Sequence, residues 1–315
     1  MSETTAIVFA VLALVLAGPV PALLARARWP HRTPRAALVL WQAIALAAVL
    51  SAFSSGLAIA SKLLVIGTDG RPTTSPAAEI DALGFPVWFL YVAALAVTLI
   101  IGARLMTAFF LVAVRTRRRR ARHRMLVDLL DDGLIDATDH GSDVRVLDSP
   151  APMAYCLPGL RQRLVLSQGA LKSLDSEELR AILSHERSHL RARHDLVLEA
   201  FTAVNQAFPR IVRSRSALGA VQLLVELLAD DSAVKVTGPR PLARALVACA
   251  GSSAPKGAMA AGGPTTLIRV QRLCVPASRR GTAALAYLAS ACILVFPTVY
   301  VAVPWLEELS RLALR

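Results

Sequence analysis

The stretch His185-Glu186-Arg187-Ser188-His189 decides how this 315-residue chain is interpreted. Residues four apart lie on one face of an α-helix, so the rings of His185 and His189 can reach a single metal ion. The carboxylate of Glu186 can then act as the general base for an attacking water molecule. A helical run of apolar residues precedes the stretch. The sequence therefore predicts one Zn²⁺ ion at a hydrolytic site.

A hydrolytic zinc site needs a third protein ligand and an open position for water. Glu226-Leu227-Leu228-Ala229-Asp230 places two carboxylates on one helical face among leucines. Burying both is costly without a cation or hydrogen-bond donors. We therefore predict that Glu226 is the third ligand. We also predict that Asp230 hydrogen-bonds the far nitrogen of a ligand histidine.

Other interpretations of these residues remain open. Glu226 is alternatively solvated or paired with an arginine, and Asp230 alternatively lies exposed at a helix end. Asp195, ten residues after His185, is a second candidate for the supporting role of Asp230. His194 is interpreted as a surface or supporting residue rather than a ligand.

The segments before the motif predict strands and a helix start. Short apolar or alternating runs at 144–147, 153–157 and 164–167, separated by proline and glycine, predict a small antiparallel sheet. Asp175-Ser176-Glu177-Glu178 is typical of a capping box and predicts the start of the active helix. The run that contains Tyr155 is the candidate edge strand on which a substrate would add as a further strand. Tyr155 itself either donates a hydrogen bond to the oxyanion or has only a packing role in the fold.

The composition is that of a membrane protein. Hydrophobic residues make up 55% of the chain and its mean hydropathy is +0.53, whereas soluble domains contain about 45–50% apolar residues. The net charge of +13 comes mostly from arginines beside apolar runs. That pattern indicates membrane topology and argues against direct binding of nucleic acid. The four cysteines have no CxxC spacing and are interpreted as reduced thiols.

Four apolar segments are long enough to cross a hydrocarbon layer of ~30 Å, which takes about 20 residues. They comprise residues 6–25, 36–61, 83–103 and 282–303. Cytoplasmic loops are rich in lysine and arginine. Residues 26–35 hold four arginines and residues 115–124 hold seven, so both are predicted to lie inside. The nearly balanced residues 62–81 are predicted outside, which puts the N-terminus outside a bacterial plasma membrane.

This topology divides the chain into four parts. They are three spans with short loops (1–114), a cytoplasmic domain (115–280), a fourth span (281–306) and a short extracytoplasmic tail (307–315). The stretch 250–266 is rich in Gly, Ala, Ser and Pro and predicts a flexible loop. It is either a site of self-cleavage ahead of the last span or an inert linker.

The motif pair His185-Glu186-x-x-His189 with Asp195, followed by Glu226-x-x-Ala229-Asp230, resembles that of integral-membrane gluzincin-type metallopeptidases. Three spans, a zinc domain and a fourth span are similar to the layout of the BlaR/MecR antibiotic-sensor transducers. The resemblance implies a multi-pass α-helical membrane protein with a cytoplasmic α+β zinc metallopeptidase domain. It implies zinc at His185, His189 and Glu226 and catalysis by Glu186. It also implies cleavage of a cytoplasmic repressor of the BlaI/MecI type, or of the protein itself.

The resemblance has one departure and several rivals. Those transducers carry an extracellular penicillin-binding sensor after the last span, so sensing here is expected from a separate protein. The HtpX/CAAX-protease branch shares the zinc motifs and implies general quality control of membrane proteins. A membrane adaptor with a structural metal site is the main non-enzymatic alternative. The sequence does not predict the oligomeric state.

Overall fold

The computed structural model describes residues 3–63, 65–66, 72–73, 75–130, 143–159, 161–209, 214–250, 259–260, 265–274 and 280–313. Its helices are α1 (Glu3–Ala17), α2 (Pro19–Arg26), α3 (Pro34–Ala60), α4 (Pro76–Leu83), α5 (Phe85–Leu129), α6 (Gln168–Ser173), α7 (Ser176–Arg191), α8 (His194–Ala207), α9 (Ser214–Thr237), α10 (Pro239–Ala248), α11 (Thr266–Leu273) and α12 (Arg280–Ala313). Its strands are β1 (Val65–Ile66), β2 (Pro72–Thr73), β3 (Val144–Leu147), β4 (Ala154–Leu157), β5 (Arg163–Ser167) and β6 (Met259–Ala260).

Within the described residues, four helical segments are long and apolar enough to cross a membrane, judged by length and composition. They comprise Thr4–Arg26, Pro34–Leu63, Phe85–Leu129 and Arg280–Val299. Each overlaps one of the segments predicted from the sequence. The first is interrupted at Gly18, between α1 and α2, where Pro19 and Pro21 follow. Proline fits the first turn of a new helix but not the interior of an old one.

The third apolar segment and the arginine run form one helix, which differs from the separate pieces predicted. Helix α5 continues from Phe85 through the seven arginines to Leu129. No glycine or proline lies between Ala103 and Leu129, and arginine is a good helix former. Nothing in the sequence therefore ends the helix at the predicted membrane surface. The predicted boundary between residues 114 and 115 lies inside α5.

The small sheet is mixed rather than antiparallel, which corrects the predicted pairing. The strand order is β3-β5-β4-β6. Strand β4 pairs antiparallel with β5 and β6, whereas β3 pairs parallel with β5. The segment between β3 and β4 contains Pro150 and Pro152, which lack the N–H that a strand ladder needs. The two strands therefore do not form a hairpin, and β5 lies between them.

The helix that carries the motif begins at the predicted capping box. The backbone N–H of Glu178 donates to Asp175 Oδ1 at 2.8 Å, and the backbone N–H of Asp175 donates to Glu178 Oε2 at 3.1 Å. These bonds satisfy two of the donors that a helix start leaves without partners. The capping-box prediction is confirmed, and it fixes the register of α7 at its first turn.

The second apolar helix shares a hydrophobic core with the region that carries the histidine motif. Trp41 of α3, Leu164 of β5, Ile182 of α7 and Leu224 of α9 are each almost fully buried in one cluster. In the third apolar helix, Arg104 donates two hydrogen bonds, of 2.8 and 3.1 Å, to the carbonyl oxygen of Ala207. The site-bearing helices are therefore packed directly on the apolar helices.

Candidate metal centre

Two helices bring the three predicted ligands together. Helix α7 supplies His185 and His189, whose Nε2 atoms lie 3.2 Å apart. Helix α9 supplies Glu226, with Oε2 3.4 Å from His185 Nε2 and Oε1 3.6 Å from His189 Nε2. These three side chains form a group that could hold a metal ion. The ligand roles themselves stay a prediction.

The spacing of these donor atoms fits a tetrahedral zinc site. Zinc–nitrogen and zinc–oxygen bonds of about 2.0–2.2 Å in a tetrahedron put ligand atoms ~3.3 Å apart. The three observed separations of 3.2, 3.4 and 3.6 Å lie close to that value. Both rings are fully buried, whereas the Glu226 side chain is 18% exposed. The donor set is therefore preformed, and Glu226 is its one partly exposed member among the three.

The far side of His185 is held by Asp230, one turn after Glu226 on α9. Asp230 Oδ1 lies 3.0 Å from His185 Nδ1. A carboxylate there fixes the ring so that Nε2 is free to bind a metal. The geometry is the one predicted for Asp230, and the alternative of an exposed helix end does not hold, because the side chain is only 1% exposed.

Glu186 lies next to the ligand pair and has an unusual environment. The residue is 1% exposed, and among the described residues the thiol of Cys156 is the group that interacts with its carboxylate as a hydrogen-bond donor. Burial raises the pKa of Glu186 to about 8. A buried carboxylate with a raised pKa suits a group that takes a proton from a molecule entering the site.

The supporting contact to His189 comes from His194 rather than from Asp195. His194 Nδ1 lies 3.0 Å from His189 Nδ1, because the left-handed backbone of Arg193 (φ 51°) turns the chain back at the start of α8. Asp195 Oδ2 instead lies 3.0 Å from Arg120 Nη1. The structure therefore gives Asp195 a partner on α5, not the ligand histidine expected from its spacing.

The two ligand histidines have opposite protonation preferences in the metal-free protein. Burial lowers the pKa of both rings. At His185 the hydrogen bonds with Asp230 and Glu226 outweigh burial and raise the pKa to about 9. At His189 burial prevails and lowers the pKa to about 3. Burial also opposes ionisation of Glu226, but the neighbouring imidazoles outweigh it and lower the pKa of that carboxyl.

Tyr155 of β4 points away from the metal centre. It is 1% exposed and packs with Val127 of α5, and its hydroxyl lies 2.9 Å from His123 Nε2. The next residue, Cys156, faces the core that contains α7, because side chains alternate along a strand. These contacts are those of the packing role for Tyr155, not of an oxyanion donor.

Strand β4 is not a free edge. Tyr155 pairs with Ala260 and Cys156 pairs with Met259 of β6. The prediction of an open edge for substrate at Tyr155 is thereby corrected for the protein alone. An unpaired strand edge pairs readily with extended backbone, and residues 259–260 belong to the stretch 250–266 of the same chain.

Sequence reasoning missed one residue of this centre. Arg269 of α11 is 1% exposed and contacts Glu226 and Asp230. Residue 269 lies 39 positions after Asp230, and no spacing rule connects two elements so far apart. The sequence interpretation in which Glu226 pairs with an arginine named no particular arginine. In the structure Glu226 contacts Arg269 and also approaches both histidines.

Comparison with protein families gives one match. The family model described as Peptidase family M48 matches residues 116–276, just over half of the chain. The matched region contains every residue that converges at the metal centre. Peptidases of this family are zinc-dependent. No curated protein and no solved structure matches the chain.

Proposed function

The chain belongs to peptidase family M48, and from that premise we propose that it is a zinc endopeptidase of the bacterial plasma membrane. Its substrate is a cytoplasmic protein, a transcriptional repressor similar to BlaI/MecI, cleaved in signal transduction. The observation that carries the proposal is the convergence of His185, His189 and Glu226 within bonding reach of one ion, with the buried carboxylate of Glu186 beside them.

The residues divide the work of peptide hydrolysis. His185, His189 and Glu226 hold the ion, which when bound polarises the scissile carbonyl and makes water more acidic. Glu186 accepts a proton from the attacking water and returns it to the leaving amine. Asp230 and His194 hold the outer nitrogens of the two histidine rings, so that each Nε2 keeps its direction.

Replacement of Glu186 with Gln tests this mechanism. The amide keeps the size of the side chain but does not accept a proton at neutral pH. We expect Glu186→Gln to abolish proteolysis while zinc stays near one ion per chain. Residual cleavage at more than about one hundredth of the wild-type rate would reject Glu186 as the general base, since general acid–base catalysis contributes ~10²–10⁴-fold.

The cytoplasmic position of the domain rests on the arginine distribution. The arginines of 115–124 and 26–35 flank apolar helices, and such clusters are retained inside. Reporter fusions at residues 70 and 136 test the arrangement. We expect the first fusion to report an extracytoplasmic position and the second a cytoplasmic one, and the reverse result would move the substrate outside the cell.

The substrate class distinguishes the signalling proposal from the quality-control alternative of the HtpX type. Cells that carry wild type or Glu186→Gln are compared by quantitative proteomics of peptide fragments. A signalling peptidase yields fragments of one soluble regulator that need Glu186. Fragments from many membrane proteins would favour quality control. A regulatory phenotype that survives Glu186→Gln would favour an adaptor with a structural metal.

Self-cleavage is the second part of the proposal. Strand β6 lies antiparallel to β4 and also approaches α7, so it occupies an edge to which an extended peptide can add as a further strand. Residues 259–260 thus lie beside the helix that carries both histidines, and they belong to the stretch 250–266, the candidate internal substrate. We expect wild type, but not Glu186→Gln, to lose intact mass through a cut between residues 250 and 266. Equal intact masses would reject self-cleavage, and β6 would then serve only to pair with the edge of β4.

A further inference from the structure

Arg269 contacts both carboxylates of α9 at the metal centre, those of Glu226 and Asp230. Its Nε and Nη2 atoms donate to Asp230 Oδ2 and Oδ1 at 2.8 and 2.6 Å. Its third nitrogen, Nη1, lies 2.9 Å from Glu226 Oε2. The planar guanidinium fork therefore hydrogen-bonds both oxygens of Asp230 and forms an ion pair with one oxygen of Glu226.

Each of these contacts acts on a predicted ligand. Asp230 Oδ1, which accepts from Arg269, also lies 3.0 Å from His185 Nδ1, so the direction of the His185 ring depends on an anchored Asp230. At Glu226 the guanidinium holds Oε2, and Oε1 remains directed towards His189. Arg269 thus constrains two of the three donors through separate nitrogens.

Charge explains why a cation is needed there before a metal binds. Glu186, Glu226 and Asp230 are three buried or nearly buried carboxylates, and Arg269 is the one guanidinium among them. When His185 is neutral, as metal binding requires, Glu226 and Asp230 carry two negative charges against the one positive charge of Arg269, while burial raises the pKa of Glu186 to about 8. Without Arg269 the two carboxylates of α9 would repel each other and lose their fixed directions.

We propose that Arg269 is a positioning residue that preorganises Glu226 and Asp230 for metal binding. The inference rests on the proposed zinc site and goes beyond its ligand set. The inference predicts the direction in which zinc affinity changes when Arg269 is removed, and that direction is opposite to the one expected from charge alone. As a bare positive charge, Arg269 opposes the binding of a second cation, so its removal would tighten zinc. As a positioning residue it favours binding, so its removal would weaken zinc.

Arg272, one turn later on α11, provides a matched control. Its Nη1 and Nη2 donate to Asp231 Oδ1 and Oδ2 at 2.6 and 3.0 Å, and its Nε donates to the carbonyl oxygen of His31. This residue makes the same kind of bidentate pair with the next aspartate of α9. Its described contacts are with Asp231 and His31 and not with the predicted metal ligands. Replacing Arg272 therefore measures how far a disturbance of α11 alone changes zinc affinity.

The experiment measures the zinc dissociation constant of the full chain in detergent by competition with a chromogenic chelator. The variants are Arg269→Met, Arg269→Lys and Arg272→Met. We expect Arg269→Met to raise the constant about 10–100-fold, the usual cost of losing a partner that orients a ligand. Arg269→Lys keeps the charge without the fork and should raise it as well, whereas Arg272→Met should change it less than twofold.

An unchanged or lower dissociation constant in Arg269→Met would overturn the proposal, and so would an equal rise in Arg272→Met. If Arg269→Met does not fold, Arg269→Lys decides by the same criterion. A wild type that binds no stoichiometric zinc would refute the proposed function itself. A wild type that binds zinc, with Arg269 variants that match it, would refute only the role of Arg269.

Discussion

At the residue scale, two adjacent side chains serve different parts of the molecule. His194 faces His189, with 3.0 Å between their Nδ1 atoms, whereas the carboxylate of Asp195 pairs with Arg120 of α5. A partner on the outer nitrogen of a ligand histidine fixes its tautomer and raises its affinity for metal. The two neighbours are therefore separable by mutation.

We expect His194→Phe to weaken zinc binding about tenfold, because the aromatic ring fills the space but gives His189 no hydrogen-bond partner. Asp195→Asn should leave the zinc dissociation constant within about twofold while lowering the unfolding temperature. Chelator competition and a thermal melt measure the two effects. Equal losses of zinc affinity in both variants would restore Asp195 to the supporting role that its spacing suggested.

Zinc binding should release a proton at neutral pH. Hydrogen bonds to Asp230 and Glu226 raise the pKa of His185 to about 9 in the metal-free protein, and a metal needs the neutral ring. Zinc must therefore displace that proton at any pH below about 9, and zinc affinity should rise with pH up to that value. Calorimetry in buffers of different ionisation enthalpy measures the release; a heat that does not depend on the buffer would contradict it.

The ligand set could be proposed from sequence because its members follow local rules. His185 and His189 are one turn apart, and Glu226 and Asp230 are costly to bury unless they meet positive charge or donors. The roles of His194 and Arg269 depend on how the chain turns at Arg193 and where α11 packs. Those contacts arise from tertiary structure, so the sequence offered no periodic signal for them.

At the element scale, the capping box holds the first turn of α7 three turns away from the metal centre. We expect Asp175→Ala to lower the free energy of unfolding by roughly 1 kcal/mol, because the backbone N–H of Glu178 loses its acceptor. Chemical unfolding of the full chain in detergent measures the change. Glu177→Ala is the control, since that exposed side chain makes only a distant i,i+3 ion pair. If both variants lowered the free energy of unfolding equally, the loss in Asp175→Ala could not be attributed to the capping box.

The sequence predicts which segments form strands and helices better than it predicts which elements pair with each other. Alternating apolar runs located β3, β4 and β5, but such runs do not reveal which strand lies beside which, so the parallel pairing of β3 with β5 was missed. The arginine run after residue 114 was interpreted as a membrane boundary. Because charge does not by itself end a helix, α5 runs through that boundary without a break.

At the scale of the whole molecule, one buried cation ties α5 to α8. Arg120 Nη1 lies 3.0 Å from Asp195 Oδ2 and 2.7 Å from Glu199 Oε1, and its side chain is only 10% exposed. Removing one member of a buried ion cluster leaves the opposite charges uncompensated. Arg120 therefore stabilises the docking of α5 against α8.

We expect Arg120→Met to lower the free energy of unfolding by about 3 kcal/mol. Protonation of Glu199, whose pKa is already raised by burial, should offset part of that loss at lower pH. Arg119→Met is the control, because Arg119 is the exposed neighbour on the same helix. Thermal and chemical unfolding measure both variants; similar small losses would show that the cluster does not hold the two parts together.

The general plan of the molecule followed from composition, since apolar length and charge distribution indicated four helices able to cross a membrane. Composition did not predict that Trp41 of α3 shares a hydrophobic core with Ile182 and Leu224. Burial against a partner helix and burial in lipid require the same apolar residues, so the sequence of α3 does not tell them apart.

The unbroken course of α5 has a mechanical consequence. Forty-five residues at 1.5 Å each make a stiff rod of about 68 Å, roughly twice the thickness of a bilayer's oily interior. A rod pivots as one body. A tilt of about 10° about the Phe85 end would swing the Leu129 end by ~12 Å, and Arg120, which lies towards the Leu129 end, would carry the motion to the helix that begins at His194.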